Sequence, residues 1–424
     1  MARYINHDTR LVWEIELAGN VVTTTVGDET LTKKLGSASR AQAMYDTAIA
    51  QIVELGFVPD GAPAPERRVV KEPVARLRNP VLEAEILANI DDPNPYGVYA
   101  DWLSEQGDWH GELIAMQLKG RQALIADHRD ELFGDLSELS ARRLAVTWRY
   151  GFIDRLRVEK LADSEDDDER TLAELISAVL ALPIGAFVRE LSVGLGDGVE
   201  DGRCHWADIW EVLAPGTCLK KIFVGEWDEF EVSWTDAGDI SPVWKLPALE
   251  SLTIRAGALE IKNVTSPTLR ELTIITGGNS AENLRALAAA PSTCPALRKL
   301  HVYCGSQYYN ATGGIEDLLP LFEATTILDL GVQNCEWTDS VCATIGTRPI
   351  AAVITNLDLS LGTMTGSGVA SLVAARRAFR SLQRIDVSQN YLTAADLIEL
   401  QKLGCTIVGD GQKSGDERYV TLGE

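Results

Sequence analysis

No apolar run in the 424 residues approaches the roughly 18 that a membrane-spanning helix needs. The opening residues, MARYINHDTR, lack the basic start and apolar core of a secretory signal. Both absences point to a cytoplasmic protein without membrane contact. Cysteine pairs are missing as well: the seven cysteines never stand as C-x-x-C, which suits buried thiols in a reducing compartment better than a disulfide framework. Basic residues are few. Thirty-nine Lys and Arg face 62 Asp and Glu, a net charge of −23, so phosphate and anionic lipid are repelled wherever basic residues do not cluster, and basic partners are favoured. The five histidines His7, His110, His128, His205 and His301 lie in different segments without a G-x-S-x-G beside them. The pairs Gly277-Gly278 and Gly313-Gly314 follow strand-like stretches but no G-x-G-x-x-G or G-x-x-x-x-G-K-[ST] surrounds them. These gaps argue against an enzyme and against a nucleotide or metal cofactor. At this length, two or three domains or one extended repeat array are expected.

What is present is a repeat. Segments of the form "LRKLHV" begin at Ile153, Val188, Leu219, Leu249, Leu269, Leu297, Thr325, Ile354 and Leu382, with intervals of 35, 31, 30, 20, 28, 28, 29 and 28 residues. Apolar residues at positions 1, 4 and 6 predict a short strand whose alternate side chains enter a core. Between strands, apolar residues fall at i, i+3, i+4 and i+7: Leu172, Leu175, Ile176 and Val179; Trp206, Ile209, Trp210 and Leu213; Ile315, Leu318, Leu319 and Phe322. That spacing predicts helices. The 20-residue interval after Leu249 leaves no room for a full helix and predicts a tight return.

A strand, a turn and a helix every 28 residues or so resemble the leucine-rich repeat, and "LQRIDVSQNYL" at 382–392 carries the full L-x-x-L-x-L-x-x-N-x-L signature. The resemblance implies an α/β solenoid over 153–424, a parallel sheet on its concave side and helices on its convex side, because one unit cannot bury its apolar face alone. Asn390 would satisfy backbone groups at the strand-to-helix turn. The end, with strand-like "CTIV" and "RYVTL", reads as a polar cap.

The same alternation places Lys299, His301 and Tyr303 on the concave face, with Arg155 and Arg157 before them and Lys221, Phe223, Arg255 and Ile275 between. Asp329, Asp358 and Asp386 are expected in register, one per strand about 4.8 Å apart, as a carboxylate ladder for Lys or Arg of a partner. Cys294, His301 and Cys304 do not match a zinc spacing, and the repeat accounts for them. The acidic run 162–170 lacks the glycine and spacing of a calcium loop and reads as a solvated insertion.

The first 150 residues differ. "LVWEIELAGNVVTTTVG" alternates like a hairpin turning at Gly19-Asn20, followed by a helix that Ser37 or Ser39 can cap. Trp13-Glu14-Ile15, Gly19-Asn20, Gly27, Ser37, Ala41, Tyr45 and Leu55-Gly56-Phe57 resemble a WGR domain over 1–60. Where that family has Trp-Gly-Arg, this chain has Val26-Gly27-Asp28, which can neither stack on a base nor attract phosphate. A Pro- and Ala-rich linker, 61–80, carries Arg67, Arg68, Lys71, Arg76 and Arg78. Residues 81–125 hold Tyr99-Ala100-Asp101-Trp102-Leu103, Glu105, Gly107-Asp108, Gly111-Glu112, Ile114 and Gln117, which resemble a bacterial repeat-companion domain. It would form a helical cap in which Trp102, Leu103, Ile114 and Leu118 shield the first repeat while Asp101, Glu105 and Asp108 stay solvated. A helical connector is expected at 126–152.

These readings converge on a non-enzymatic scaffold or sensor that binds a protein partner, possibly a basic one, through the concave face. The alternative is a nucleic-acid-binding accessory protein that uses the WGR-like domain and the linker arginines, extended by Arg142, Arg143, Arg155 and Arg157.

Overall fold

The computed structural model describes residues 2–5, 12–26, 29–54, 57–60, 77–121, 125–160, 168–198, 204–213, 218–227, 232–415 and 417–422. Arg67, Arg68, Lys71, Arg76 and the Gly27-Asp28 pair lie outside the described residues, as does most of the acidic run. The chain divides into two compact units, Met1–Lys71 and Glu72–Glu424.

In the first unit, β1 (Ala2–Ile5), β2 (Val12–Ala18), β3 (Val21–Val26), β4 (Glu29–Lys34) and β5 (Val58–Pro59) form an antiparallel sheet ordered β4-β3-β2-β1-β5, beside the helix α1 (Ala38–Glu54). Ala18 faces Val21 across a two-residue turn in which Gly19 has φ +63°, the left-handed geometry that such hairpins require. Ser37 caps α1 by accepting the Arg40 N–H at 3.3 Å. Trp13, Ile15, Val22, Ala41, Ile52 and Phe57 form the small core.

The second unit begins with α2 (Pro80–Ala88), α3 (Pro93–Glu105) and α4 (His110–Leu118). Leu103 and Ile114 are fully buried among them, with Trp102 and Leu118 packed alongside, and Asp101 and Glu105 are exposed. Their core also includes Phe152, Phe187 and Cys218 from the first strands and connectors of the sheet. Asp91 adds a polar clasp, its carboxylate meeting Arg149 at 2.9 Å, Arg189 at 2.6 Å and Lys220 at 3.2 Å. Two glycines permit this packing. A Cβ on Gly111 would stand 2.5 Å from the Ala100 carbonyl oxygen, and one on Gly151 (φ +83°) would stand 2.4 Å from Ile114 Cγ1. Gln117 Oε1 accepts the Gly151 N–H at 2.8 Å, and the His110 ring bonds the Gly151 carbonyl at 2.8 Å.

After the short helix α5 (Arg129–Phe133) the chain is mostly strand, turn and helix. The strands are β6 (Leu144–Arg149), β7 (Phe152–Val158), β8 (Glu190–Val193), β9 (Asp197–Gly198), β10 (Cys204–His205), β11 (Lys221–Val224), β12 (Thr235–Asp239), β13 (Ser251–Arg255), β14 (Ala258–Glu260), β15 (Glu271–Ile275), β16 (Lys299–Gly305), β17 (Asp329–Cys335), β18 (Asn356–Asp358), β19 (Arg384–Asp386) and β20 (Thr406–Val408). Eleven of them make one sheet in chain order, β6-β7-β8-β11-β13-β15-β16-β17-β18-β19-β20. All its pairings are parallel except β6 with β7. The fold is thus mixed α/β with a large parallel sheet. The region 126–152 is not wholly helical as expected: β6 forms a hairpin with β7, because "LAVTWR" alternates Leu144 inward and pairs with the alternation of the next strand.

Inward residues share one core with the helices α6 (Leu172–Ala181), α7 (Ile209–Val212), α8 (Ala281–Thr293), α9 (Ile315–Phe322), α10 (Thr338–Ile345), α11 (Gly366–Ala374) and α12 (Ala394–Leu400). Thr171 and Glu174 close a capping box at the start of α6, and Ser280 accepts the Asn283 N–H at the start of α8. The pattern Trp206, Ile209, Trp210 and Leu213 is buried as expected, but α7 is a single turn. Its predecessor β10 belongs to a second sheet, β14-β12-β10-β9, that covers the core where long helices are missing. The short interval after Leu249 passes through β14 of that sheet rather than through a helix.

The burial pattern corrects one repeat frame. Ile327, Leu330 and Val332 are the inward triad and Leu328 is 41% exposed, so that unit starts at Ile327, not Thr325. At the end, β20 extends the sheet, but "RYVTL" is not a strand: Leu422 and Asn334 exchange reciprocal hydrogen bonds of 2.8 and 2.6 Å, and Thr421 N–H donates to the Leu361 carbonyl.

Candidate functional site: the open face of the sheet

Parallel register aligns the outward side chains of successive strands in rows. One row runs Arg155, Glu190, Lys221, Ser251, Glu271, Lys299, Asp329, Asn356, Arg384. The next, two residues further along each strand, runs Arg157, Ser192, Phe223, Thr253, Thr273, His301, Gly331, Asp358, Asp386. Arg255 faces Ile275, and Tyr303 faces Gln333, in a third row. The face therefore carries Lys221, Phe223, Arg255, Ile275, Lys299, His301, Tyr303, Asp329, Asp358 and Asp386, but the three aspartates are not in one row. Asp329 faces Lys299 and Asn356, whereas Asp358 faces Asp386. The expected ladder is two carboxylates, displaced by the frame correction at Ile327.

Charges in the first row largely answer one another. Arg155 meets Glu190 at 3.1 Å and Lys221 meets the same carboxylate at 3.6 Å. Asp329 accepts from the His301 ring at 2.8 Å. Burial pushes the Asp329 carboxyl upward, but the His301 hydrogen bond and charge outweigh it and hold it below its ordinary value. No serine or cysteine side chain bonds His301 among the described residues, so the pair lacks the nucleophile that an acyl-transfer triad needs.

The second row ends differently. Asp358 accepts Gln333 Nε2 at 3.0 Å and the Ser360 N–H at 3.0 Å. Burial raises its carboxyl above the ordinary value, the Ser360 hydrogen bonds oppose this, and the Asp386 charge adds to it. Tyr303 is pushed up to about 12 by burial and by the same Asp358 charge. Asp386 is met by Arg384 at 2.8 Å. Because its folded value is raised, Asp358 destabilises the fold at neutral pH, and that penalty vanishes as pH falls below the unfolded value of 3.8. Asp358→Asn is expected to add roughly 0.2–1 kcal/mol at pH 7, the scale of a like-charge pair across strands. Urea unfolding at neutral pH and near pH 3 measures it; a gain of equal size at both would show that charge is not the cause.

At the other end of the face, a groove of about 450 Å³ is lined by Val146, Arg155, Arg157, Ser192, Lys221 and Phe223, among others. Arg157 bridges Glu159 at 2.7 Å and Glu226 at 3.3 Å, and Arg255 lies 5.2 Å over the Trp227 ring. These contacts bear on the arginines proposed for nucleic acid. Arg78 is held by Glu83 at 2.6 Å, Arg142 lies 3.9 Å from Glu159, and Arg143, 1% exposed, donates to the Glu159 and Arg170 carbonyls. Arg143 is thus a core residue and not part of a surface path. Cys294 and Cys304 also point into the core, away from His301, and among the described residues no three His, Cys, Asp or Glu side chains converge on a metal position.

No protein-family profile matches the chain, and no curated protein matches it. Among solved structures, a structural-genomics target protein from Bacteroides fragilis is similar over 100% of both chains, with a TM-score of 0.52 at 19% identity. An internalin from Listeria monocytogenes matches 57% of this chain and 71% of its own, with a TM-score of 0.28 at 16% identity. The likeness to the Bacteroides protein concerns the fold alone. No helix among the described residues is long and apolar enough to cross a membrane.

Proposed function

We propose that the chain is a non-enzymatic scaffold or sensor, cytoplasmic and bacterial, that holds a protein partner on the open face of its sheet. In this reading residues 153–424 are a leucine-rich repeat solenoid with a carboxy-terminal cap, 81–125 a repeat-companion cap domain followed by a connector at 126–152, and 1–60 a WGR-like domain joined by the linker 61–80. One observation carries it: eleven strands in chain order present a face whose outward residues are mostly polar, charged or aromatic and partly exposed, while the inward ones are buried. At 4.7–4.9 Å per strand that face is about 50 Å across, enough for a partner of ordinary interface size. Phe223 over the groove is the apolar anchor, and Tyr303 and Ile275 extend it. A preformed surface needs little ordering on binding, which favours affinity.

The nucleic-acid reading rests on linker residues outside the described set, and its other arginines are engaged with carboxylates or carbonyls. Capture from a lysate of the source organism, with and without nuclease, separates the two. A partner that survives nuclease, and that Phe223→Asp releases while the melting temperature holds, supports the scaffold. Loss of all partners on nuclease treatment, with duplex DNA affinity that falls steeply with salt, supports the alternative.

A further inference from the structure

We infer that Asp358, together with Asp386 and the amide oxygen of Gln333, forms a seat for one cationic side chain, a lysine ammonium or an arginine guanidinium, presented by the partner. This rests on the proposal that the open face binds a protein, and it assigns the chemistry of one point on that face.

The argument starts from what each group lacks. The first row is a ladder of mostly alternating charges, Asp329 is answered by His301, and Asp386 has Arg384. Asp358 has no basic side chain within 4.0 Å among the described residues; it receives the Gln333 amide and hydrogen bonds from the Ser360 N–H and hydroxyl. Its strand neighbour is another aspartate, an arrangement that costs stability when nothing bridges it. Gln333 is 6% exposed, and its Oε1 has no hydrogen-bond donor. That oxygen lies over Gly331, within 2.7 Å of where a Cβ would stand, and Gly331 is the residue that faces Asp358 across β17 and β18. The glycine is what leaves room for the amide to fold back beside the carboxylate. A half-buried carboxylate and an orphaned amide oxygen, both short of donors, are therefore grouped beside a second carboxylate that Arg384 and the Ser388 N–H already answer.

A cationic side chain corrects each deficit at once. Lysine brings three donors and arginine five, neither brings an acceptor, and the positive charge relieves the Asp358–Asp386 repulsion. The Tyr303 hydroxyl, 3.3 Å from Gln333 Nε2, and the Ser360 hydroxyl, 3.4 Å from it, stand beside the seat as further acceptors. A hard divalent ion fits less well, because it asks for six or more oxygens and Asp358 already spends lone pairs on two N–H groups.

The test uses the full chain and fluorescein-labelled tetra-arginine, tetra-lysine and tetra-serine peptides, read by anisotropy at low salt. A surface control, Glu282→Gln with Glu316→Gln, removes acidic charge from helices away from the face. Asp358→Asn is expected to weaken the arginine or lysine peptide at least tenfold, the control less than twofold, and the serine peptide should not bind. Equal losses in Asp358→Asn and the control would overturn the seat, since binding would then reflect general acidity alone. Displacement of the peptides by low-millimolar calcium or magnesium chloride, with no such effect of sodium at equal ionic strength, would overturn it in favour of a metal. The proposed function fails separately: a partner released by Phe223→Asp but retained by Asp358→Asn leaves the scaffold standing and removes the seat.

Discussion

Alanine at Gly151 is expected to destabilise the second unit by roughly 2–6 kcal/mol, from left-handed strain of about 1–3 and overpacking of about 1–3 kcal/mol. Gly151 has φ +83°, and the added methyl would meet Ile114 Cγ1 at 2.4 Å and the His110 ring at 3.3 Å. Neither neighbour yields readily, since Ile114 is fully buried and the His110 ring is tied to the Gly151 carbonyl. Gly120 supplies the control, with φ +74° and nothing within 4 Å of its would-be Cβ. Gly120→Ala therefore reports backbone strain alone, and the difference between the two variants in urea unfolding reports the clash. If Gly151→Ala costs no more than Gly120→Ala, the helices do not dock on the β6–β7 turn as closely as described.

The same contacts give physical content to the motif at 99–117. Gly111 lets α4 lie against the Ala100 carbonyl, Gln117 holds the turn at Gly151, and Tyr99 donates to Glu83 at 3.1 Å. Asp101 and Glu105 are exposed, and Asp108 accepts the His110 N–H at the start of α4. The roles of Gly111, Gln117, Tyr99 and Asp108 are thus close packing, hydrogen bonding and capping.

Legibility followed how much apolar burial each stretch carries. Triads such as Leu297, Leu300 and Val302 are 0% exposed, and hydrophobic periodicity reports that burial directly. The frame at 325–330 was ambiguous because Ile327 and Leu328 are both apolar and only packing selects the inward one. That single ambiguity moved Asp329 into the wrong row. The second sheet escaped notice because its strands are short and, as in "TDAGD" of β12, largely polar; tertiary context overrides propensity there. The Gln333–Asp358 contact was also invisible, since it depends on a glycine at 331 and a register that only the folded sheet defines. Arg143 shows the reverse limit: a basic pair, Arg142-Arg143, looks like a surface patch until the Glu159 and Arg170 carbonyls take its second member into the core.

Asn390→Ala should cost about 3 kcal/mol, and the damage should be local. The side chain is 0% exposed, donates to the carbonyls of Leu359, Val387 and Ser388 at 2.9, 3.0 and 3.2 Å, and accepts the Met364 N–H at 2.8 Å. Alanine leaves buried backbone groups unpaired, each worth about 1–3 kcal/mol, with partial relief from water or from relaxation. Corresponding turns in the preceding units have Gly362 and Cys335, so no second asparagine shares the load. Gln389 just before it holds φ +54°, a left-handed conformation that the asparagine's three carbonyl contacts help to maintain. Because each strand touches only its neighbours, hydrogen exchange should quicken at Met364, Tyr391 and the amides of β19 and β20 while β8 and β11 keep their protection. Uniform loss of protection across the sheet would mean that the unit unfolds as one cooperative body and that the asparagine is not a local clamp.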